Sequence, residues 1–455
     1  MSKVYIGCGA GFAGDRFDAA VPVVRTLADA PGARFLIYEV LAERTLAIAQ
    51  KLRRENAHAG YSPFLDIYLP LVLRDCFENG IRIVTNMGAA NPIGAAKRVQ
   101  ALAQELGLRG LNVAAVTGDN LLETMSAEEI RRQPLIESLT LDDRPIVAAN
   151  AYLGADAVAQ ALGSGAHVVL VGRTTDAALS LGPLLHVHGW HADQLDLLAQ
   201  GTVCGHLLEC GAQVTGAYFA DPGFKDVSDL ARVGFPIAEV DADGHLVVTK
   251  AADTGGLVSR ATVIEQLLYE VHDPFNYLTP DVTLDLAAVE VEQTEPNRVQ
   301  VRGARGKPPP ATLKATVSVD AGWLGEGEIS YAGPNALARA ELAAQIVRER
   351  CAAIAVKELV RVEVLGTYAL FDSNARTRRN AVDTQNDGEY RVRAAVRSFD
   401  RAVAQRVSDE VLSLYCSGPA GGAGVRQHVT PQIGTASILI DRRCVHPTVT
   451  LVDRP

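Results

Sequence analysis

The chain of 455 residues lacks the cysteine pattern of a disulfide-stapled or zinc-binding domain. Its seven cysteines are an odd number, and no two of them form a C-x-x-C pair. Disulfide frameworks and zinc ribbons use paired cysteines at fixed spacings, so both classes are excluded. Unpaired cysteines are typical of a reducing compartment, and we therefore expect a cytoplasmic protein.

Long hydrophobic runs and dense basic clusters are also missing. Apolar runs such as residues 166–171 are far shorter than the roughly 20 residues of a membrane-spanning helix, and no signal-peptide pattern is found. The net charge of −10 argues against a nucleic-acid surface, which needs clustered Lys and Arg. The densest basic group, Arg376, Arg378 and Arg379, fits a solvated loop or an anion clamp. We expect neither a membrane nor a nucleic acid as a partner.

What the chain does have is an ordinary globular composition, with 48% hydrophobic and 21% charged residues, and a length that allows two or three domains. Up to about residue 185, short apolar runs alternate with helical patterns. The predicted strands are residues 4–7, 34–39, 81–86, 112–118 and 167–172. Continuous apolar runs are typical of strands buried on both faces of a parallel sheet. The alternation predicts an α/β fold whose N-terminal sheet is doubly wound and mostly parallel.

The pattern changes near residue 230. Residues 235–240 and 245–250 flank an Asp-Ala-Asp-Gly segment, which predicts an antiparallel hairpin with an Asp-Gly turn. A long helical pattern over residues 335–357 then leads into a closing set of strands and helices. We therefore divide the chain into a parallel α/β domain (1–230), a middle antiparallel β-rich region (231–334) and a C-terminal α/β unit (335–455).

A glycine-dense turn follows the first predicted strand. Gly9, Gly11 and Gly14 satisfy G-x-G-x-x-G, and Glu39 ends the second apolar strand, roughly where a dinucleotide-binding fold carries its ribose-binding acid. Glycines let the backbone approach an anion, and a following helix offers N–H donors. Asp15 comes directly after the last glycine and would repel a pyrophosphate, which disfavours NAD. Another anion, such as a carboxylate or a CoA phosphate, and a purely structural turn are the alternatives.

Polar residues also follow three later predicted strands. In an open parallel sheet, ligands bind beyond the carboxyl ends of the strands, so these residues should face the same crevice as the glycine loop. Helix capping explains any one of them, but it explains less well why four strand ends carry a glycine with Asp, Asn or Arg. We expect a crevice that binds an anionic small molecule, lined by Gly9, Gly11, Gly14, Asp15, Arg16, Glu39, Asn86, Asn91, Arg173 and Thr174.

An imidazole and a carboxylate lie three residues apart at His206 and Glu209. On a helical turn they share one face, which places a group that titrates near neutrality beside a carboxylate, as general acid–base catalysis requires. We assign His206, Glu209, Asp119 and Asp176 to the catalytic group. Metal ligation by His206, Glu209 and Cys210 lacks a second matching motif, so we predict no metal, and a structural role is the other alternative.

Nine segments, in this order along the chain, resemble the acyclic terpene utilisation protein A (AtuA-like) family. They are GAGFAGDR at 9–16, LAERTL at 41–46, NMGAANP at 86–92, NAYLG at 150–154, GRTTD at 172–176, GHLLECG at 205–211, QLLYE at 266–270, DP at 273–274 and YLTPD at 277–281. The resemblance implies a role in the bacterial catabolism of branched, acyclic terpenoid acids through acyl-CoA intermediates. It also points to a separate small ferredoxin-like subunit as a partner, and it assigns no catalytic residue.

The residues and the resemblance together predict a catabolic enzyme that acts on a small carboxylate or an acyl-CoA. General acid–base chemistry makes a hydratase or another lyase the expected reaction class. The free carboxylate and its CoA thioester both stay open as the substrate form, and we expect no bound cofactor and a homo-oligomer. Two alternatives stay open: an NAD-dependent oxidoreductase that uses the N-terminal G-x-G-x-x-G, and a non-catalytic subunit of a catabolic complex.

Overall fold

The computed structural model describes residues 3–136, 141, 143–366 and 388–452, so Arg376, Arg378 and Arg379 lie outside the described residues. The chain forms two compact units, one of Met1–Ser318 with Thr435–Pro455 and one of Val319–Gly434. The three-part division drawn from the sequence pattern stays a prediction. No helix in the described ranges is long and apolar enough to cross a membrane.

Strands and helices alternate in the first third of the chain and strands dominate later. The strands are β1 (Val4–Ala10), β2 (Ala33–Tyr38), β3 (Ile81–Thr85), β4 (Val113–Thr117), β5 (Ile146–Ala151), β6 (Val168–Val171), β7 (Pro236–Val240), β8 (Leu246–Lys250), β9 (Tyr277–Leu278), β10 (Thr283–Asp285), β11 (Glu290–Glu295), β12 (Arg298–Arg302), β13 (Arg305–Lys307), β14 (Thr312–Ala332), β15 (Val360–Leu365), β16 (Glu389–Ser398), β17 (Ala423–Asp441) and β18 (Thr448–Val452). The helices are α1 (Ala20–Ala28), α2 (Glu43–Glu55), α3 (Leu65–Glu78), α4 (Pro92–Glu105), α5 (Ala127–Arg131), α6 (Asp156–Gly163), α7 (Ala178–His188), α8 (Leu195–Leu208), α9 (Arg260–Leu268), α10 (Ala336–Ala353), α11 (Arg401–Leu412) and α12 (Leu414–Ser417).

In the first unit, ten of the described strands form one mixed sheet. Its order is β11-β12-β8-β7-β1-β2-β3-β6-β4-β18. The five strands predicted from apolar runs, β1, β2, β3, β4 and β6, are all present and pair in parallel. Their residues are almost all buried, as continuous apolar runs predict.

The sheet is mixed rather than mostly parallel, because antiparallel strands extend both edges. The hairpin predicted around the Asp-Gly turn is confirmed as β7 and β8, and β7 pairs antiparallel with β1. At the other edge, β18 pairs antiparallel with β4. The mixed α/β class is thus confirmed, whereas the doubly wound arrangement of the helices stays a prediction.

The second unit contains an antiparallel sheet. Strand β16 pairs with β15 on one side and with Trp323–Ala332 of β14 on the other. One face of β16 packs on α10 and α11 in an apolar core that includes Tyr331, Val347 and Val392. Its other face carries arginines that pair with glutamates of the neighbouring strands, such as Arg393 with Glu326. The alternation of apolar and charged residues along β16 is the period-two pattern of a strand with two different faces.

A substitution at Gly9 tests how closely side chains pack at the start of the large sheet. It lies inside β1 rather than in the loop, and a Cβ there would come within 2.5 Å of the ring of Tyr38. We expect Gly9→Ala to lower the free energy of unfolding by about 1–3 kcal/mol, because a close-packed core tolerates added atoms poorly. The matched control is Gly163→Ala at the end of α6, where a Cβ meets no atom within 4 Å. Urea unfolding of both variants measures the difference, and equal stability of the two would contradict this packing.

Candidate functional site

A cavity of about 650 Å³ lies beyond the carboxyl ends of β1 and β2. Its lining includes the loop after β1, the segment after β2, and residues after β6 and α8. The structure thus brings four segments named in the sequence analysis into one crevice. The lining residues are Gly11, Phe12, Asp15, Glu39, Leu41, Ala42, Glu43, Arg173, Asp176, Glu209, Cys210, Ala212, Gln213, Ala217, Tyr218, Tyr269 and Glu270.

The cavity wall is strongly acidic. Among the residues that the structure describes, one guanidinium, that of Arg173, lines the cavity together with six carboxyl groups, those of Asp15, Glu39, Glu43, Asp176, Glu209 and Glu270. Much of the remaining wall is apolar or aromatic, including Phe12, Leu41 and Tyr218. Since opposite charges stabilise ionisation and like charges oppose it, this excess of acids favours protonated carboxyl groups and disfavours an anionic ligand.

Arg173 is the buried cation of the site, with 4% of its surface exposed. Its Nη1 donates to Oδ1 of Asp176 at 3.1 Å and to the carbonyl of Leu41, and its guanidinium carbon lies 4.1 Å from the centroid of the Tyr152 ring. The Tyr152 hydroxyl in turn donates to Glu43. Burial raises the pKa of Glu43, but the charge of Arg173 and this hydrogen bond outweigh it, so the pKa of Glu43 lies below its ordinary value.

Glu39, directly after β2, is held by Asn86 at the end of β3. The Asn86 Nδ2 donates to Oε1 of Glu39 at 2.8 Å, and the Asn86 Oδ1 accepts the N–H of Val40. Burial, and then the charge of Asp176, raise the pKa of Glu39 to about 8 against the opposing effect of Arg173. Asn86 therefore acts through Glu39 and orients its carboxyl group.

His206 and Glu209 form the pair that their spacing predicts, at the C-terminal end of α8. Nδ1 of His206 lies 2.9 Å from Oε1 of Glu209. Glu209 lines the cavity, whereas His206 is 3% exposed and lies behind it. Burial lowers the pKa of His206, but the charge and hydrogen bond of Glu209 outweigh it and raise that pKa. Burial also raises the pKa of Glu209, so both members of the pair bind a proton more tightly than they would in water.

Asp119 lies away from this pair, in a second cavity of about 120 Å³. Its Oδ2 accepts the backbone N–H of Arg173 at 2.9 Å and the Nδ2 of Asn150 at 2.7 Å. Burial raises the pKa of Asp119 to about 6. Asp119 therefore supports the main chain of Arg173 from behind, and the structure does not bring it to Glu209 as the sequence-based assignment supposed.

Asn91 and Thr174 have contacts that helix capping and loop packing explain. Asn91 caps α4, because its Oδ1 accepts the N–H of Gly94 at 2.9 Å. The Thr174 hydroxyl donates to the carbonyl of Leu153 at 2.7 Å. Neither residue lines the larger cavity. The structure therefore favours helix capping for Asn91 and loop packing for Thr174.

The glycine loop carries its own anion. The Asp15 carboxylate accepts the N–H of Gly11 at 2.9 Å and that of Arg16 at 2.7 Å. The guanidinium of Arg16 is directed elsewhere and donates to the carbonyl of Val233 at 3.1 Å. The position that the sequence assigns to an external anion is therefore filled by a side chain of the loop itself.

Close packing explains the glycines of the motif. A Cβ at Gly11 would lie 2.5 Å from the backbone nitrogen of Gly211, and Gly14 has a φ of +97°, which favours glycine. Helix α1 begins at Ala20, beyond the loop, rather than directly after the last glycine. These contacts account for G-x-G-x-x-G without a dinucleotide.

Several residues of the site were not predicted, among them Tyr152, Tyr269 and Glu270. Tyr152 directly follows β5, a strand missing from the sequence-based set. The same rule that located the other strand ends would have indicated it, had β5 been recognised. Tyr269 and Glu270 follow α9 and belong to the QLLYE segment of the family resemblance, but no chemical pattern around them predicts a place in the cavity, which they reach by tertiary folding.

Within the described residues, no group of three or more His, Cys, Asp or Glu side chains has the arrangement of a metal site. The fold and the site define a mixed α/β protein with an acid-lined cavity beyond the carboxyl ends of its parallel strands. A family model described as acyclic terpene utilisation family protein AtuA matches residues 4–451. The chain belongs to this family, which confirms the resemblance and implies a role in acyclic terpene catabolism. No curated protein and no solved structure matches the chain.

The Arg173 network predicts a pH-dependent loss of stability on substitution. Arg173→Met should lower the free energy of unfolding at pH 8 by about 3–5 kcal/mol, because it leaves buried carboxylates without their cation. Arg173 lowers the pKa of Glu43, so the loss should shrink toward pH 4 as the carboxylates take up protons. The control is Arg34→Met. Arg34 donates to the carbonyl of Ala28, which does not titrate, so the effect of this substitution on stability should not depend on pH in the same way. A loss that is the same at both pH values would contradict the network.

The raised pKa of Glu39 predicts how the free energy of unfolding depends on pH. The folded state keeps a proton that the unfolded state releases above the ordinary pKa of 4.5. Stability of the wild type should therefore fall as the pH rises from about 4.5 to about 8. Glu39→Gln removes this contribution, so its stability relative to the wild type should rise across the same window. Urea unfolding at pH 5, 7 and 9 measures the free energy of unfolding of both proteins. The same pH dependence in the wild type and in Glu39→Gln would contradict the raised pKa of Glu39.

Proposed function

We propose that the chain is a catabolic enzyme that adds water to, or removes water from, the acyl part of a branched carboxylic acid or its CoA thioester. The observation that carries the proposal is the Glu209–His206 pair, whose carboxyl member faces a large cavity with a partly apolar wall. A carboxyl group with a raised pKa both accepts and returns a proton near neutral pH, which hydratase and other lyase reactions require.

Glu209 is the general base in this proposal, and His206 is a positioning residue. Glu209 reaches the cavity and takes a proton from water or from carbon. His206 lies behind it and holds its carboxyl through the Nδ1 contact of 2.9 Å. Because the pair is enclosed, the charge on each member depends on the other, and loss of one member changes the proton affinity of the other.

The acid-rich wall limits which part of the substrate enters. An anionic end would be repelled by the carboxylates, whereas Phe12, Leu41 and Tyr218 offer apolar surface to a branched hydrocarbon. Each buried CH₂ group contributes about 0.8 kcal/mol to binding of this kind. We therefore place the neutral acyl part inside the cavity and the phosphates of CoA outside it.

This placement revises the expectation that the glycine loop and Arg173 hold the anionic end of the substrate. Asp15 already accepts two N–H groups of the loop. Arg173 is engaged by Asp176, the Leu41 carbonyl and the Tyr152 ring. The NAD-dependent alternative also loses support, because internal packing explains its glycines.

The test is turnover of branched 2-enoyl-CoA and 3-hydroxyacyl-CoA thioesters by the purified protein, followed through the absorbance of the conjugated thioester. Hydration should be detectable in one direction and elimination in the other. Inertness toward all of them, with co-purification of a neighbouring enzyme, would favour the non-catalytic subunit instead. Binding of NADH at millimolar concentration, read by its fluorescence, would favour the oxidoreductase.

Substitution of the pair should separate chemistry from folding. Glu209→Gln should lower kcat by about 10²- to 10⁴-fold, the usual contribution of a general base, while circular dichroism shows a folded protein. The matched control is His245→Asn, which breaks an exposed pair with Asp241 at 3.4 Å and should leave kcat unchanged. Wild-type kcat in Glu209→Gln would remove Glu209 from the mechanism.

A further inference from the structure

The carboxyl group of Glu39 is fixed through one of its two oxygens. Oε1 accepts the Asn86 Nδ2 at 2.8 Å and the backbone N–H of Leu41 at 3.0 Å, and both hydrogen bonds that the described residues make to this carboxyl fall on Oε1. A protonated carboxyl group has one accepting oxygen and one hydroxyl. The geometry makes Oε1 the accepting oxygen, which leaves Oε2 to carry a proton.

Glu39 shares the cavity lining with charged groups from several elements. The loop after β6 contributes Arg173 and Asp176, and Nη1 of Arg173 is already directed at Asp176 and a carbonyl. One guanidinium cannot balance the acids around it, so a proton on one of them is favoured. The remaining titratable groups of the lining are Asp15 from the glycine loop, Glu43 from α2, Glu209, Cys210 and Tyr218 from the end of α8 and the segment after it, and Tyr269 and Glu270 from the segment after α9. Cys8 of β1 is a further buried titratable neighbour of Glu39.

Glu39 and Glu209 occupy the same cavity but come from different elements. Glu39 follows β2 and Glu209 follows α8, and each lines the wall of the cavity. Glu209 is paired with an imidazole, whereas Glu39 is held by an amide and a backbone N–H. Two carboxyl groups in different environments are the usual arrangement for separate acid and base roles.

We propose that Glu39 is the proton donor of this site, with the proton carried on Oε2, and that Asn86 is the residue that positions it. The proposal rests on the proposed function. In hydration, the oxygen of water bonds to one carbon of the double bond while Glu209 takes the proton that water loses. Glu39 gives its proton to the other carbon, so H and OH are added and charge is conserved. Proton transfer from Glu209 to Glu39 through solvent restores both groups.

The first experiment needs no substrate. Infrared difference spectra of the ligand-free protein, taken across a pH titration, report the carbonyl stretch of protonated carboxyl groups. The wild type should lose such a band with a midpoint near the pKa of Glu39, about 8, and Glu39→Gln should lack that component. The control is Asp281→Asn, because Asp281 is a carboxyl outside the cavity lining whose pKa burial raises to about 6. Loss of the same bands above neutral pH in wild type and Glu39→Gln would overturn the proposal.

The second experiment measures turnover. Gln at position 39 keeps the accepting Oε1 and places an N–H where the hydroxyl would lie, but it cannot give up a proton. Glu39→Gln should therefore lower kcat by about 10²- to 10⁴-fold with a much smaller change in KM, whereas a purely structural role predicts little loss. In the wild type, kcat should fall as the pH rises through the midpoint found by infrared.

Together, the infrared and turnover experiments distinguish failure of the donor role of Glu39 from failure of the proposed hydratase function. Wild-type kcat in Glu39→Gln, with turnover by the wild type, would overturn the donor role alone. Absence of turnover by the wild type on every acyl-CoA would remove the hydratase function. In that case the infrared titration still decides whether Glu39 carries the proton.

Discussion

The guanidinium of Arg173 lies 4.1 Å from the centroid of the Tyr152 ring and donates to Asp176 and the Leu41 carbonyl, in a cavity wall otherwise rich in carboxyl groups. Its main chain is fixed as well, because Asp119 accepts its N–H from the smaller cavity. Burying this cation is costly unless its partners remain in place. The segments that follow β2, β4, β5 and β6 therefore depend on one another at this point, and the shape of the cavity depends on all of them.

Arg173 affects the pKa values of the neighbouring carboxyl groups unequally, and this difference allows them to take separate acid and base roles. Glu43 is held ionised by Arg173 and by the Tyr152 hydroxyl. Glu39 is enclosed beside Asp176, so burial and that negative charge prevail and the pKa of Glu39 rises to about 8. Glu209 has its own partner in His206. One cavity thus contains acids in different protonation states, which is how a single site can both give and take a proton near neutral pH.

Elements with a regular hydrophobic pattern could be predicted from the sequence. The five parallel strands are continuous apolar runs, and the β7–β8 hairpin carries its Asp-Gly turn, so local rules suffice for them. Helices α7 and α8 were not predicted, because they are buried and apolar on nearly all sides and so lack an amphipathic period. The pairing of His206 with Glu209 followed from helical spacing. The acidity of the cavity did not, since its carboxyl groups range from Asp15 to Glu270 along the chain, and only the tertiary fold brings them together.

A crystal structure with an unreactive branched acyl-CoA thioether would show which part of the substrate enters the cavity. We expect the hydrocarbon chain to lie between Glu39 and Glu209, against Leu41 and Tyr218, with every phosphate outside the cavity. A phosphate or carboxylate of the ligand bound at Arg173 or at the loop amides, with Asp15 displaced, would contradict it.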